Sequence, residues 1–268
     1  MSEIAGRNLL VTGAASGIGR LLALKAAIAG ATVVLWDIDA MGLEKLLTEI
    51  QTNGGKAFSY RCDVSTRQEV YRIAEQVRAD VGMVDILINN AGVVSGKPLL
   101  ECTDEQIQRT MDVNITAHFW TVRAFLPGMI QANRGHIVTI ASAGGIVGAS
   151  RMVDYCASKF AAFGFDEALR MEIRKNRWRI KTTVVCPYYI NTGMFAGVRT
   201  RFPWLLPILE EDLVAGRIMH AIQFNKKRLL MPLIVYSVWL LRLLPVVVFD
   251  WITTLLGINA CMDEFRGR

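Results

Sequence analysis

The chain has 268 residues, of which 52% are hydrophobic and only seven are proline. A chain this long can bury a full core without disulfide or metal staples, and single α/β domains run to about 250 residues. The net charge is a modest +6. Its densest basic stretch, Arg170 to Lys181, has the pattern of a solvated helix end, so nucleic-acid binding is not expected.

Five cysteines, an odd number without metal-ligand spacing, read as thiols of a reducing compartment. Three histidines, none paired at helical spacing, offer no metal cluster. Met1 to Gly6 is short and polar and lacks a signal-peptide pattern, so a cytoplasmic rather than secreted protein is expected.

Asn8 to Thr12 is a short apolar strand running into glycines. Gly17 to Ala29 then carries Ile18, Leu21, Leu22, Leu24 and Ala27 at helical spacing. Thr32 to Trp36 is β-rich and Met41 to Gln51 is amphipathic; Ala57 to Arg61 and Arg67 to Val81 repeat the theme. Asp85 to Ile88, Gly135 to Ala141 and Ile180 to Val185 supply further buried strands. Short strands separated by longer helices imply βαβ crossovers and a doubly wound parallel sheet. Its ligand crevice lies beyond the C-terminal ends of the strands. A single domain over 1–268 is expected.

The composition shifts near Leu229. From there to Met262 the chain is mostly apolar, interrupted by Arg242, Asp250, Pro232 and Pro245. The uncharged runs fall short of the roughly 20 residues that span a membrane. A pair of apolar helices is expected in this extension (229–268). It could cover the core, form a subunit contact, or lie on a membrane surface through 229–262.

Thr12-Gly13-Ala14-Ala15-Ser16-Gly17-Ile18-Gly19 sets three glycines between the first strand and the first helix. Glycine allows positive φ and close backbone approach. The helix start presents free N–H groups and a positive dipole end to a pyrophosphate. Gly13, Ser16, Gly17, Ile18 and Gly19 are therefore candidate dinucleotide contacts. Asp37, after the second strand, can accept both adenosine ribose hydroxyls and repel a 2′-phosphate. Capping the next helix is its other use, which Asp39 could serve equally well. No basic residue stands at position 16 to attract that phosphate, which favours NAD over NADP. Asp63-Val64 and Asn90-Ala91-Gly92 follow the third and fourth strands and complete the rim.

Tyr155 and Lys159 lie four residues apart, on one face of a helix. A phenol has an unperturbed pKa of about 10, and a neighbouring ammonium favours its phenolate. Such a pair can move protons near neutrality. Ser142, just after a strand, could bond the reacting oxygen. Asn114 could hold a helix irregularity and a water that relays protons through Lys159.

The glycine turn, Asn89–Gly92, Asn114, Ser142 and Tyr155-Cys156-Ala157-Ser158-Lys159, in this order, resemble the short-chain dehydrogenase/reductase family over residues 5 to about 225. The resemblance implies a Rossmann fold with Asn114, Ser142, Tyr155 and Lys159 as its catalytic set. Tyr155 would be the acid/base, Ser142 would orient the substrate oxygen, and Lys159 would lower the tyrosine pKa and hold the nicotinamide ribose. Pro187, Ile190 and Thr192 would clasp the carboxamide, although Tyr188 stands where the family has glycine. Residues 193–217 would form the substrate lid. Members usually associate through the two long helices preceding and containing Tyr155, so a homodimer or homotetramer is expected.

Leu35-Trp36-Asp37-Ile38, Ala117-His118-Phe119-Trp120, Gly135 to Thr139, Lys159-Phe160-Ala161-Ala162 and the tail to Phe265 are similar to a narrower branch. That branch contains retinol dehydrogenases, retinal reductases and lipid-droplet 17β-hydroxysteroid dehydrogenases. It implies an NAD-dependent enzyme interconverting a lipophilic alcohol (retinoid, steroid or long-chain) and its ketone or aldehyde. Met194, Phe195, Val198, Phe202, Trp204, Leu205 and Leu206 suit an apolar pocket, or alternatively a core or oligomer contact. Rival readings are a reductase of small ketones or acyl-carrier substrates, and a membrane-surface lipid-binding protein with a regulatory nucleotide fold.

Overall fold

A computed structural model describes residues 3–267. The N-terminal half runs β1 (Asn8–Thr12), α1 (Gly17–Ile28), β2 (Thr32–Asp37), α2 (Ala40–Thr52), β3 (Lys56–Arg61), α3 (Arg67–Asp80) and β4 (Ile86–Asn89). Then come α4 (Asp104–Met111), α5 (Ala117–Gln131), β5 (Gly135–Ile140), α6 (Val153–Lys175) and β6 (Ile180–Pro187). The chain continues through α7 (Glu211–Gln223), β7 (Arg228–Met231), α8 (Val238–Leu241) and α9 (Val246–Leu255).

The strands form one sheet in the order β3-β2-β1-β4-β5-β6-β7, with every pairing parallel. The strands expected from the sequence stand within two residues of their expected ends. The strand β7 was not expected. The apolar stretch begins as an edge strand in register with Val184 to Pro187, because a short apolar run carries no period that separates strand from helix.

Alternation along the strands builds two cores. Leu9, Val11, Val33 and Leu35 face α1, α2 and α7, whereas Leu10, Val34 and Trp36 face α3 and α5. Since β1 lies between β2 and β4, the chain leaves it in opposite directions, and a crevice opens at that switch point. The basic stretch Arg170 to Lys181 runs from the solvated end of α6 into β6, with Arg174, Lys175 and Arg177 exposed. Four cysteines are buried and free, and Cys102 is half-buried and free.

One buried charge stands apart from the crevice. Asp166 on α6 is 1% exposed. Its Oδ2 accepts from Thr182 at 3.3 Å and its Oδ1 has no partner. Burial pushes this carboxyl up to about 7, with Thr182, Arg170 and Arg228 pulling it down and Glu167 raising it. A raised folded-state pKa means the native chain keeps a proton that the unfolded chain releases. Stability therefore falls as pH rises from about 4 to about 7. Asp166→Asn should remove that fall and add about 1–2 kcal/mol at pH 8 while adding little at pH 4. Urea unfolding at both pH values checks it; equal shifts at both would place the dependence on another group.

Candidate active site

Gly19 sits where α1 leaves the first turn. A Cβ there would lie 1.9 Å from the Gly13 carbonyl oxygen and 2.6 Å from Asn90 Nδ2, so only glycine allows the turn to close. Thr12 and Asn90 lock this turn to the one after β4. Thr12 Oγ1 accepts from the backbone N–H groups of Asn90 and Ala91, each at 3.0 Å, and Asn90 Nδ2 donates to Thr12 O at 2.9 Å. Asp37 and Asp39 divide the two uses open to an acid here. Asp39 caps α2 through Gly42 N. Asp37 accepts from Ala15 N at 2.9 Å and Asp39 N at 3.0 Å, which fixes its carboxylate at the crevice wall.

Ser142 stands two residues beyond β5 and caps a 3₁₀ turn, Ala143–Gly145, its Oγ accepting from Gly144 N at 3.0 Å. That bond uses an oxygen lone pair and leaves the hydroxyl proton for another acceptor. The turn packs on α6 at Gly145, where a Cβ would meet the Lys159 carbonyl oxygen at 2.5 Å. This contact sets Ser142 against the helix that carries Tyr155 and Lys159.

Tyr155 is 4% exposed and Lys159 3%. Lys159 Nζ donates to Ile140 O at 2.8 Å and lies 5.7 Å from the Tyr155 ring centre. Burial pushes the lysine down to about 8, with Cys186 opposing. Burial also holds the Tyr155 phenol above its ordinary range, and the Ser142 hydroxyl pulls it back. The phenol is thus protonated and the ammonium largely charged at neutral pH.

Asn114 lies in a π-helical turn, Asp112–Thr116, between α4 and α5, so the irregularity expected there is present. Its side chain is turned inward. Oδ1 accepts from Val93 N at 2.8 Å, and Nδ2 donates to Val93 O at 2.9 Å and Ser158 Oγ at 3.0 Å.

All the other residues singled out in the sequence for catalysis or cofactor binding line one cavity of about 1000 Å³. It runs from the glycine turn and Asp37 to Ser142, Tyr155 and Lys159. It then enters an apolar end formed by Met194, Phe195, Leu206, Val238 and Phe249. Of the other apolar residues expected in a lid, Leu205 also faces the cavity, Val198 is buried, Phe202 is half-buried and Trp204 is 80% exposed.

A short chain dehydrogenase family model matches residues 7–202. The chain belongs to the short-chain dehydrogenase family. Short-chain dehydrogenase/reductase family 16C member 6 of Bos taurus is 50% identical over 232 residues, 86% of this chain and 73% of that relative. Epidermal retinol dehydrogenase 2 of Homo sapiens is 47% identical, with 98% of this chain and 86% of that relative covered. Among solved structures, a short-chain dehydrogenase/reductase from Burkholderia phymatum in complex with NAD superposes with a TM-score of 0.82. It is 28% identical over 90% of this chain and 95% of that one. A metagenomic short-chain oxidoreductase in complex with NADP gives 0.72 at 31% identity, over 85% and 97%.

Short-chain dehydrogenases are oxidoreductases, and their fold binds a nicotinamide dinucleotide. The crevice of this member fits such a group: the glycine turn leaves no room for a side chain, and the fixed Asp37 carboxylate stands at the crevice wall. At the departure from the family pattern, Tyr188 prolongs β6 through its N–H to Met231 O at 2.8 Å. Its hydroxyl meets Cys261 Sγ at 3.4 Å, joining the end of β6 to the tail.

Three residues that the sequence does not single out support α6. Asp154, beside Tyr155, accepts from Ser95 and Thr110, each at 2.8 Å. They lie 59 and 44 residues away, so no local pattern links them. The start of α4 does carry a signal, the capping box of Thr103 and Gln106.

Proposed function

We propose that the chain is an NAD-dependent oxidoreductase that interconverts a lipophilic alcohol, with a retinoid as first choice, and its carbonyl. The observation that carries this reading is the shared cavity: Ser142 and Tyr155 stand where the dinucleotide crevice meets an apolar chamber. Retinol dehydrogenases at 41–47% identity support the substrate class.

A bound nicotinamide dinucleotide supplies the hydride acceptor in oxidation and the donor in reduction. The Ser142 hydroxyl donates to the substrate oxygen and holds the carbinol carbon in place. In reduction the protonated Tyr155 hydroxyl gives its proton to the forming alkoxide. In oxidation its phenolate takes the alcohol proton, a form that the Lys159 ammonium favours. Asn114 keeps the loop after β4 against α6 and acts by positioning.

NAD is preferred because the fixed Asp37 carboxylate would repel a 2′-phosphate, and because Arg20, the nearby cation, is paired with Glu49. A homodimer or homotetramer through α5 and α6 accords with Phe119, Phe160 and Met171, which lie partly exposed on those helices.

Reduced-nicotinamide absorbance with NAD and then NADP, against retinol, steroid alcohols, long-chain alcohols and small secondary alcohols, tests the reading. Turnover with NAD and a lipophilic alcohol is expected; turnover confined to small polar alcohols would overturn the substrate class. Asp37→Ala should weaken NAD about 10–100-fold and relax discrimination against NADP. An unchanged preference would move cofactor selection away from Asp37.

A further inference from the structure

After a last 3₁₀ turn, Ile258–Ala260, the chain doubles back along the cavity as a tail, 261–267. The root of the tail is anchored in the core, Cys261 being 2% exposed and Met262 0%. Its far end reaches the cavity wall, which Gly267 lines together with Met194 and Phe195.

Two places are shaped to receive this tail. At Gly96, on the loop after β4, φ is +65° and a Cβ would meet Phe265 Cε1 at 2.0 Å. At Gly197, φ is +87° and a Cβ would meet Glu264 O at 2.2 Å. Each position needs glycine both for its backbone conformation and for the close approach of the tail.

Gly197 belongs to 193–202, a stretch with a single 3₁₀ turn, Gly193–Phe195, and no longer element. Among the described residues, 196–199 make two backbone hydrogen bonds to distant parts of the chain, and both go to the tail. Arg266 N donates to Ala196 O at 2.8 Å, and Arg199 N donates to Cys261 O at 3.2 Å. A stretch so poor in bonds of its own takes its order from what packs on it. The pairs Arg199–Glu264 at 3.0 Å and Arg151–Asp263 at 3.5 Å are exposed and add little. The half-buried Phe265 ring is then the group that joins this stretch to the opposite wall. That wall is firm, since Ser95, next to Gly96, donates to Asp154 of α6 at 2.8 Å.

The same stretch touches the chemistry. Phe195 packs edge-on against the rings of Tyr155 and Tyr189, and Tyr189 against Tyr188, the partner of Cys261. Holding Met194 and Phe195 in place before substrate arrives removes an ordering cost from binding.

We infer that 261–267 is a strap that fastens 193–202 over the cavity, with Phe265 on Gly96 as its catch, and that this closure sets the fit of the apolar chamber to a lipophilic alcohol. The fit half rests on the oxidoreductase reading; the fastening half does not.

Hydrogen exchange of the full chain with NAD present, read by mass spectrometry, tests the fastening. Phe265→Ala should speed exchange of 193–202 at least about tenfold, while β1 to β6 exchange as in the parent. Gly96→Ala, which displaces the ring from the other side, should do the same, and Phe265→Leu should fall between. Replacing both Asp263→Asn and Glu264→Gln should change exchange less than about twofold. Steady-state kinetics on detergent-dispersed retinol test the fit. Phe265→Ala should raise KM about five- to tenfold with kcat and NAD affinity within about twofold.

Parent-like exchange of 193–202 in Phe265→Ala overturns the strap. So does faster exchange spread equally through β1 to β6, since the ring then props the core. An unchanged KM in a loosened variant, or a kcat that falls as far as KM rises, overturns the fit half. A parent that turns over no alcohol defeats the oxidoreductase reading, and the exchange comparison still decides the strap.

Discussion

Tyr155→Phe is expected to cut turnover by about a thousandfold while leaving NAD affinity within a factor of about two. Removing the hydroxyl removes the group that moves the proton, and a positioned acid or base contributes about 10²–10⁴. The ring itself remains, and its edge-on contact with Phe195, 5.9 Å between ring centres, does not need the oxygen. Burial already keeps the phenol protonated. The parent should therefore reduce a carbonyl readily near neutrality and oxidise an alcohol better as pH rises, because oxidation starts from phenolate. Stopped-flow absorbance in both directions, with a parallel NAD titration, checks this. Full activity in the variant would remove Tyr155 from the chemistry, and lost NAD binding would recast it as a cofactor contact.

Gly19→Ala should abolish measurable dinucleotide binding and destabilise the fold by about 2 kcal/mol. The added methyl would lie 1.9 Å from Gly13 O, far inside contact distance. Overpacking of this kind costs about 1–3 kcal/mol, and the turn can relieve it only by opening. Opening also separates Thr12 and Gly13 from Asn90, breaking the bonds that hold the crevice floor. Gly216→Ala on α7 is the control. A Cβ there meets nothing within 4 Å, so helix propensity should add about 0.5–1 kcal/mol with NAD binding unchanged. Thermal melts and fluorescence titration of both variants decide the matter; a Gly19→Ala chain that binds NAD normally would mean that the turn adapts.

The sequence by itself determined whatever depends on neighbours along the chain. The alternation of strand and helix is a matter of hydrophobic period, and it placed β1 to β6 within two residues of their ends. The glycine turn is local for the same reason, since Asn8 to Ile28 already contains the strand end and the helix start that form it. The register of Tyr155 and Lys159 follows from the pitch of a single helix.

The tertiary structure decided what depends on groups distant in sequence. Asp37 and Asp39 were equally good caps until Ala15 N, 22 residues away, claimed Asp37. The place of Ser142 beside Tyr155 comes from close packing of the turn at Gly145 on α6. Asn114 spends its side chain on Val93 and Ser158, which no spacing encodes. The tail was illegible for a different reason. Residues apolar on both sides give no period, so β7 and the hairpin α8–α9 could not be separated by pattern. Only the sheet edge left open by β6 and the chamber left open above Tyr155 told each segment where its apolar side belonged.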